Sequence, residues 1–345
     1  MRYSEQTVKE FCAGAMRKVG LSAADAEIVA DSLVESEMRG ATAHGLARLG
    51  IYADRISRGL IFPAAAITLV NAGKADSALL LDGGNGPGVV VAAKAMDTCL
   101  ERAAKTGVCF AAVRNASHYG AGWHCATRAS RRGRIGFSVC NGNHVAPSDL
   151  GGSARFVGIN PITIAIPAGR HPDLVLDMAT SVVSRDGLDP ADSAADPGGL
   201  EAAEPSDLLA AVMLPLGGAQ GFGIALIIDI VCGALSGARD AGQIASFFNC
   251  GDPDEFRDIG LFMGVLDIEK LIDIEVFRER VDRILDEFKR RRPTRRATSV
   301  IPGEAERRNH QTSRELGLEI SRPLLDDLRR LAENYSLPHP FADRE

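Results

Sequence analysis

From Ser4 to about Gly59 apolar residues return at helical intervals, as at Ile28, Val29, Leu33 and Val34, and Ser22-Ala-Ala-Asp25 puts a serine where it caps free amides. An N-terminal helical region is expected. The pattern then changes to short apolar runs, Ala66–Val70 and Ala78–Asp82, followed by a loop at Gly83–Gly88 and a helical run to about Lys105. Val108–Val113 and Arg134–Cys140 read as further strands, separated by an alanine-rich helix from about Ala121 to Arg132, and Ile162–Ile166 and Leu174–Asp177 continue the sheet. Ile224–Leu235 reads as a buried helix; it contains Asp229 and falls short of the ~20 apolar residues that cross a bilayer. A strand at Leu261–Leu266 and an amphipathic helix from about Ile274 to Lys289 follow. The fold class predicted is α/β, a mixed sheet with an N-terminal helical region.

The organisation expected is a helical region over 1–75 that packs with C-terminal helices in 267–345 as a substrate and dimerisation domain. Between them, 76–266 forms the mixed-sheet domain. Residues 185–205, rich in Asp, Ala, Pro and Gly, read as an irregular loop. A chain of 345 residues, 46% hydrophobic, has ample material for such a core. Its formal net charge of -6, with signs interspersed, argues against a nucleic-acid partner and for small-molecule work. Lys289–Arg296 is the one dense basic run, a solvated helix end or an RNA or membrane contact. The polar start Met1-Arg-Tyr-Ser-Glu-Gln carries no apolar signal region, so a cytoplasmic protein is expected. Seven cysteines without a CxxC pair fit reduced thiols, most of them small core residues. His118, His124 and Cys125 are the one trio with metal-ligand spacing, and they lack a repeated signature; no metal is expected.

Two segments carry chemistry. In Arg39-Gly-Ala-Thr-Ala-His44-Gly-Leu-Ala-Arg48-Leu-Gly-Ile-Tyr52 the fourfold spacing puts His44, Arg48 and Tyr52 on one helix face, with Arg55 and Ser57 nearby. Arg48 offers a planar fork for a carboxylate, His44 transfers protons near neutral pH and Tyr52 adds a directional hydroxyl, a set suited to an oxo acid. A solvent-facing stripe is the alternative. Asn115-Ala-Ser-His118-Tyr-Gly-Ala-Gly122 lies between a predicted strand and helix, where free amides point at a pocket and a histidine is placed for proton transfer. A histidine tied to backbone in a tight turn has the same pattern.

The glycines at 83, 84, 86 and 88 do not have dinucleotide-fingerprint spacing, so a Rossmann domain is not expected. Gly217–Gly223 lets backbone approach a phosphate at a helix start, or serves close helix packing. Asp177-Met-Ala-Thr-Ser181 ends a strand with a carboxylate and two hydroxyls, a set that binds ribose or amide groups and also occurs at ordinary strand exits.

In order and spacing these segments resemble the type 2 malate/L-lactate dehydrogenase family, which also includes ureidoglycolate and sulfolactate dehydrogenases and Δ1-piperidine-2-carboxylate (cyclic-imine) reductases. Arg39-Gly40, His44-Gly45, Arg48 and Tyr52 match its early motif and Asn115–Gly120 its second. Further matches are Val145-Ala-Pro147, Gly151-Gly152, Gly158-Ile-Asn160-Pro161, Asp177–Ser181, Leu214-Pro215, Leu235-Ser-Gly237 and Pro302-Gly-Glu304. The resemblance implies a non-Rossmann mixed-sheet fold that binds a nicotinamide cofactor, NAD or NADP, in a homodimer that completes the active site. Carried over by position, His118 is the catalytic acid/base, with His44, Arg48 and Tyr52 facing substrate. Gly122, Gly142, Asp177, Met178, Ala179, Gln220, Pro302, Gly303 and Glu304 contact the cofactor. The activity implied is hydride transfer between nicotinamide and a small 2-oxo or 2-hydroxy acid, with imino-acid reduction or a non-catalytic relative as alternatives. Ala43, Ile159, Gln220 and Phe222 depart from the family's serine, threonine, lysine and tyrosine, and 182–213 is shortened. These departures leave the substrate open.

Overall fold

The computed structural model describes residues 2–142, 144–147, 155–180, 216, 219–240, 242–244, 255–291, 300–338 and 341. A short strand β1 (Arg2–Tyr3) precedes helices α1 (Glu5–Lys18), α2 (Ala23–Met38) and α3 (Ala47–Ser57). Ser4 and Ser22 accept hydrogen bonds from the backbone N–H groups of Thr7 and Asp25, so the cap predicted at Ser22 is present. Strands β2 (Thr68–Leu69) and β3 (Ala78–Gly86), helix α4 (Gly88–Thr106), strand β4 (Val108–Ala116), helix α5 (Gly122–Ser130) and strand β5 (Arg134–Cys140) follow. The expected loop at 83–88 is a correction: the strand runs through most of it, to Gly86, and α4 begins at Gly88.

Next come β6 (His144–Pro147), β7 (Arg155–Gly158), β8 (Ile162–Ile166) and β9 (Leu174–Met178). Helix α6 (Ala219–Asp229) continues into a π turn at Ile230–Ala234, and β10 (Ile259–Asp267) leads to α7 (Ile274–Arg291). Helix α8 (Glu304–Leu316), strand β11 (Leu318–Glu319) and helix α9 (Arg322–Tyr335) close the chain. The expected loop 185–205, Ser181 and residues 292–296 of the basic run lie outside the described residues.

Seven strands form one mixed sheet in the order β2-β3-β4-β10-β5-β8-β9, in which only β3 and β4 run parallel. Helix α4 packs its apolar face, including Val91, Ala95, Met96 and Cys99, on Leu79, Leu81, Ala111, Val113, Leu261 and Met263. A second core joins α1, α2 and α3 to Leu318, Leu325, Leu328 and Phe341, so the two ends of the chain share one interior. Six cysteines, at 12, 99, 109, 125, 140 and 232, are unpaired and buried.

The other sheet face is apolar across its width. Register aligns Phe110, Gly264, Phe137, Ile164 and Leu176 in one row and Ala112, Phe262, Val139, Ile162 and Met178 in the next. Ile228 and Cys232 cover part of it, against Val139. Ile224–Leu235 differs from the buried helix expected: Ile224, Ile227, Ile230 and Leu235 are all exposed, Ile227 at 63%. Hydropathy alone records that this helix avoids charge on most sides, and not which sides find protein. No helix among the described residues is long and apolar enough to cross a membrane.

Candidate active site

The predicted single helix face from His44 to Tyr52 does not form. His44 ends a 3-10 turn at Thr42–His44, and α3 starts only at Ala47. The reason lies in α2: the Glu37 carboxylate accepts the Leu46 N–H at 3.0 Å, which ties off the start of a new helix. Gly45 leaves room for this contact, because a Cβ here would displace the Glu37 carboxylate. Burial raises the Glu37 pKa, and the Leu46 N–H pulls it back. Arg48, in the first turn of α3, donates from Nε to the Ala43 carbonyl at 2.6 Å, so the turn and the helix brace each other. Arg55 and Ser57 point elsewhere, Arg55 to the Glu255 carbonyl and Ser57 to the Tyr335 hydroxyl.

The second segment leaves the end of β4 as predicted. Asn115 takes a left-handed φ of 55°, its backbone N–H is held at 2.6 Å by Asp258 Oδ1, and its side-chain amide donates to Asp82 at 3.1 Å. Two residues on, Ser117 Oγ accepts the Gly88 N–H at the start of α4. Three separate elements thus fix the turn that carries His118.

These two segments meet. The His44 and His118 rings stack with centroids 5.5 Å apart and planes 14° from parallel. Tyr52, only 5% exposed, has its hydroxyl 2.6 Å from His118 Nδ1. Tyr52 is therefore a hydrogen-bond partner of the histidine. Burial and then the charges of Arg48, His44 and Arg257 push the His118 pKa well below that of an ordinary histidine, so the resting ring is neutral. Burial drives the Tyr52 pKa up, and the phenol stays protonated.

Sequence reasoning missed Arg257, whose charge acts on His118 while its side chain is 1% exposed. It also missed Glu37 and Asp258. The one available signal was Phe256-Arg257-Asp258, two charges set against the start of an apolar strand.

The remaining candidates gather around β9. Asp177 Oδ2 accepts the Trp123 N–H at 2.8 Å and Oδ1 the Thr163 hydroxyl at 2.7 Å. Its carboxylate thus serves the N-terminus of α5 next to Gly122, where free amides and a ribose contact had been expected. Met178 pairs with Ile162 across the strand, with Ala179 just beyond. Gly142 donates to Asn160 Oδ1 at 3.0 Å, and Thr180, after Ala179, donates to the Ile159 carbonyl at 3.0 Å. The Thr180 carbonyl accepts the Leu216 N–H, near the first turn of α6, where Gln220 is exposed. Gly303, at φ 81°, lies against Val175, and Glu304 opens α8. Segment 118–122 joins this group to the histidine pair. Among the described residues no group of three or more His, Cys, Asp or Glu side chains is arranged to hold a metal.

A profile of malate/L-lactate dehydrogenase matches residues 3–329. The chain belongs to the malate/L-lactate dehydrogenase family. It is 31% identical over 338 residues to the L-sulfolactate dehydrogenase of Methanocaldococcus jannaschii, covering 95% of this chain and 96% of that one. It is 32% identical over 352 residues to the malate dehydrogenase of Pyrococcus horikoshii, covering 96% and 95%. The solved sulfolactate dehydrogenase structure from M. jannaschii superimposes with a TM-score of 0.88 over 98% of each chain, at 29% identity. The protein is thus an oxidoreductase, a dehydrogenase with the mixed α/β fold of this family.

Proposed function

We propose that this dehydrogenase transfers hydride between a nicotinamide dinucleotide and C2 of a small 2-oxo or 2-hydroxy acid, with His118 as proton carrier. The observation that carries this reading is the Tyr52–His118–His44 stack beside Arg48. Burial and the neighbouring positive charges of Arg48, His44 and Arg257 favour the neutral form of His118. A substrate carboxylate on the Arg48 fork is an anion whose negative charge raises the His118 pKa toward the working range. His118, protonated once the anion is bound, donates its proton to the substrate oxygen as hydride arrives, and accepts it back in the reverse direction. Tyr52 engages Nδ1, so Nε2 is the nitrogen that exchanges the proton.

The surroundings of β9 suit the cofactor. Among the described residues Trp123 Nε1 is buried without a hydrogen-bond partner, and a Cβ at Gly142 would meet nothing nearer than the Ile159 N at 3.9 Å, which supports room for a ligand. Bound there, the nicotinamide supplies or accepts the hydride. Gly142, the backbone at Met178–Ala179, Gly303 and Gln220 are the groups proposed to hold it. The Asp177 carboxylate acts through α5, orienting the segment that follows His118. The similar malate and sulfolactate dehydrogenases act on 2-hydroxy acids with a second anionic group, and the positive charges of Arg48 and Arg257 acting on His118 support an anionic substrate here.

The open apolar sheet face and the exposed isoleucines of α6 support a homodimer, which sedimentation at micromolar concentration tests. The reduced, buried thiols support a cytoplasmic enzyme.

The experiment for the reaction is NADH and NADPH oxidation over a panel of mono- and dianionic 2-oxo acids, with cyclic imines as the competing class. Turnover of a 2-oxo acid that falls about a hundredfold or more in His118→Asn, with cofactor affinity kept, is expected. Turnover of cyclic imines alone, or an unaffected variant, overturns the assignment.

A further inference from the structure

Away from the histidine pair, the turn after α5, the end of β10 and the first turns of α7 enclose a cleft of about 370 Å³. Its lining includes Arg131, Arg132, Arg134, Lys270 and Arg278, against the carboxylates of Asp267 and Glu269. Five cations thus face two acids in a chain whose net charge is -6. The cleft lies at the Arg134 end of β5, while Cys140, at the other end, leads to Gly142. At the usual strand rise this places it about 20 Å from the proposed cofactor groups.

Arg134 is neutralised by Asp267, and the other four cations are held in place yet weakly neutralised. Gly133, at φ 70°, turns the chain so that a Cβ there would sit 3.8 Å from Arg278 Nη2, bringing that guanidinium against the arginine-rich turn. The Lys270 stem packs on Gly107, and among the described residues its ammonium has no ion-pair partner. Arg131 reaches Glu35 only at 3.8 Å while 57% exposed, and Arg132 reaches Asp97 at 3.1 Å while 53% exposed. Arg278 pairs with Glu275 at 2.6 Å, a residue 70% exposed, and its Nε is buried without a hydrogen-bond partner. Glu35, Asp97 and Glu275 lie outside the cleft lining, and each of these pairs has one partner more than half exposed to solvent, where ion pairs contribute little. Asp267 is committed, to Arg134 at 2.9 Å and to the Glu269 N–H at 3.3 Å.

We propose that this cleft is a second, non-catalytic binding site for a small polyanion with two or more phosphoryl groups. The cations converge from three elements, so a single carboxylate cannot reach them together. A phosphoanhydride chain presents oxygens in several directions and matches both the arginine forks and the lysine point charge. The cleft is of the size of a small-molecule site and too short for a nucleic-acid track.

The test is calorimetric titration of the full-length protein with inorganic tripolyphosphate, with and without saturating NADH. Variants are Lys270→Ala/Arg278→Ala and, as a charge reversal at an exposed position, Lys270→Glu. The site predicts saturable binding that persists with NADH bound, weakens steeply with salt and falls roughly tenfold or more in each variant. Parallel titrations with ADP and inorganic pyrophosphate separate a nucleotide ligand from a free polyphosphate, because only a nucleotide site prefers ADP over pyrophosphate. Absence of tripolyphosphate binding, binding displaced by NADH, or equal affinity in variants that keep the wild-type melting temperature overturns the proposal.

Discussion

The Tyr52 hydroxyl lies 2.6 Å from His118 Nδ1 and joins residues 66 positions apart across α3 and the β4–α5 turn. A hydroxyl both donates and accepts, so it satisfies Nδ1 whether or not that nitrogen carries the proton. A carboxylate at this place would favour the protonated Nδ1 alone. With Nε2 exchanging the proton, Nδ1 keeps its own in both states and donates it to the Tyr52 oxygen; a neutral phenol accepts it without adding the charge that a carboxylate would bring to the His118 pKa.

Tyr52→Phe keeps the buried ring and removes this partner. We expect kcat to fall about ten- to a hundredfold with KM nearly constant, and the pH profile of kcat to move with it. Steady-state kinetics over pH 5–9 checks this; an unchanged profile would leave Tyr52 a packing residue.

Glu37 does not touch the proposed substrate place, yet it starts the helix that presents Arg48. Glu37→Ala should raise the KM for a 2-oxo acid by roughly tenfold through loss of the Leu46 contact, while cofactor affinity stays the same. Fluorescence titration with NADH beside the kinetics separates the two effects.

The turn between β8 and β9 is clasped to α7 by one side chain. Asp282, 4% exposed, accepts the backbone N–H groups of Gly169, Arg170 and His171 at 3.1, 2.7 and 3.2 Å. Burial alone would raise its pKa; the three donors and Arg170 outweigh this and lower it. Asp282→Ala should cost about 1–3 kcal/mol in urea unfolding, since three backbone donors lose the buried charged acceptor that they share. A change under 0.5 kcal/mol, as is usual for surface substitutions, would contradict this accounting.

Burial and then Arg128 lower the His124 pKa to about 4. The folded state thus binds fewer protons here than the unfolded chain, whose histidine titrates near 6.5. The corresponding stability is present above that value and is lost as pH falls toward 4. His124→Asn should therefore lose less stability than wild type between pH 7 and pH 4.5, measured by denaturant unfolding at each pH.

Much of this architecture is legible in the order of residues. Strands β5 and β8 and the cap at Ser22 fall where period and capping chemistry put them, because those signals are local. Strand β3 outran its expected end since its glycines look like loop to a local reading, while in the structure Gly86 pairs with Ala116 of β4. The exposed isoleucines of α6 had the opposite fate: an apolar run specifies a wish for cover and not the surface that supplies it.

The sequence by itself determined the α/β class, the family and the pairing of two histidine-bearing motifs with an arginine, because short motifs and periodicities survive without knowledge of contacts. Only the tertiary structure decided that Tyr52 serves His118, that Asp177 caps α5, and that Arg257 adds its charge to the site. Each of those roles is set by a partner distant along the chain, as is the Asn115–Asp258 bond that frames the turn across 143 positions. Hydrogen bonds and charge act over a few ångströms of space, a distance that spacing along the chain does not encode.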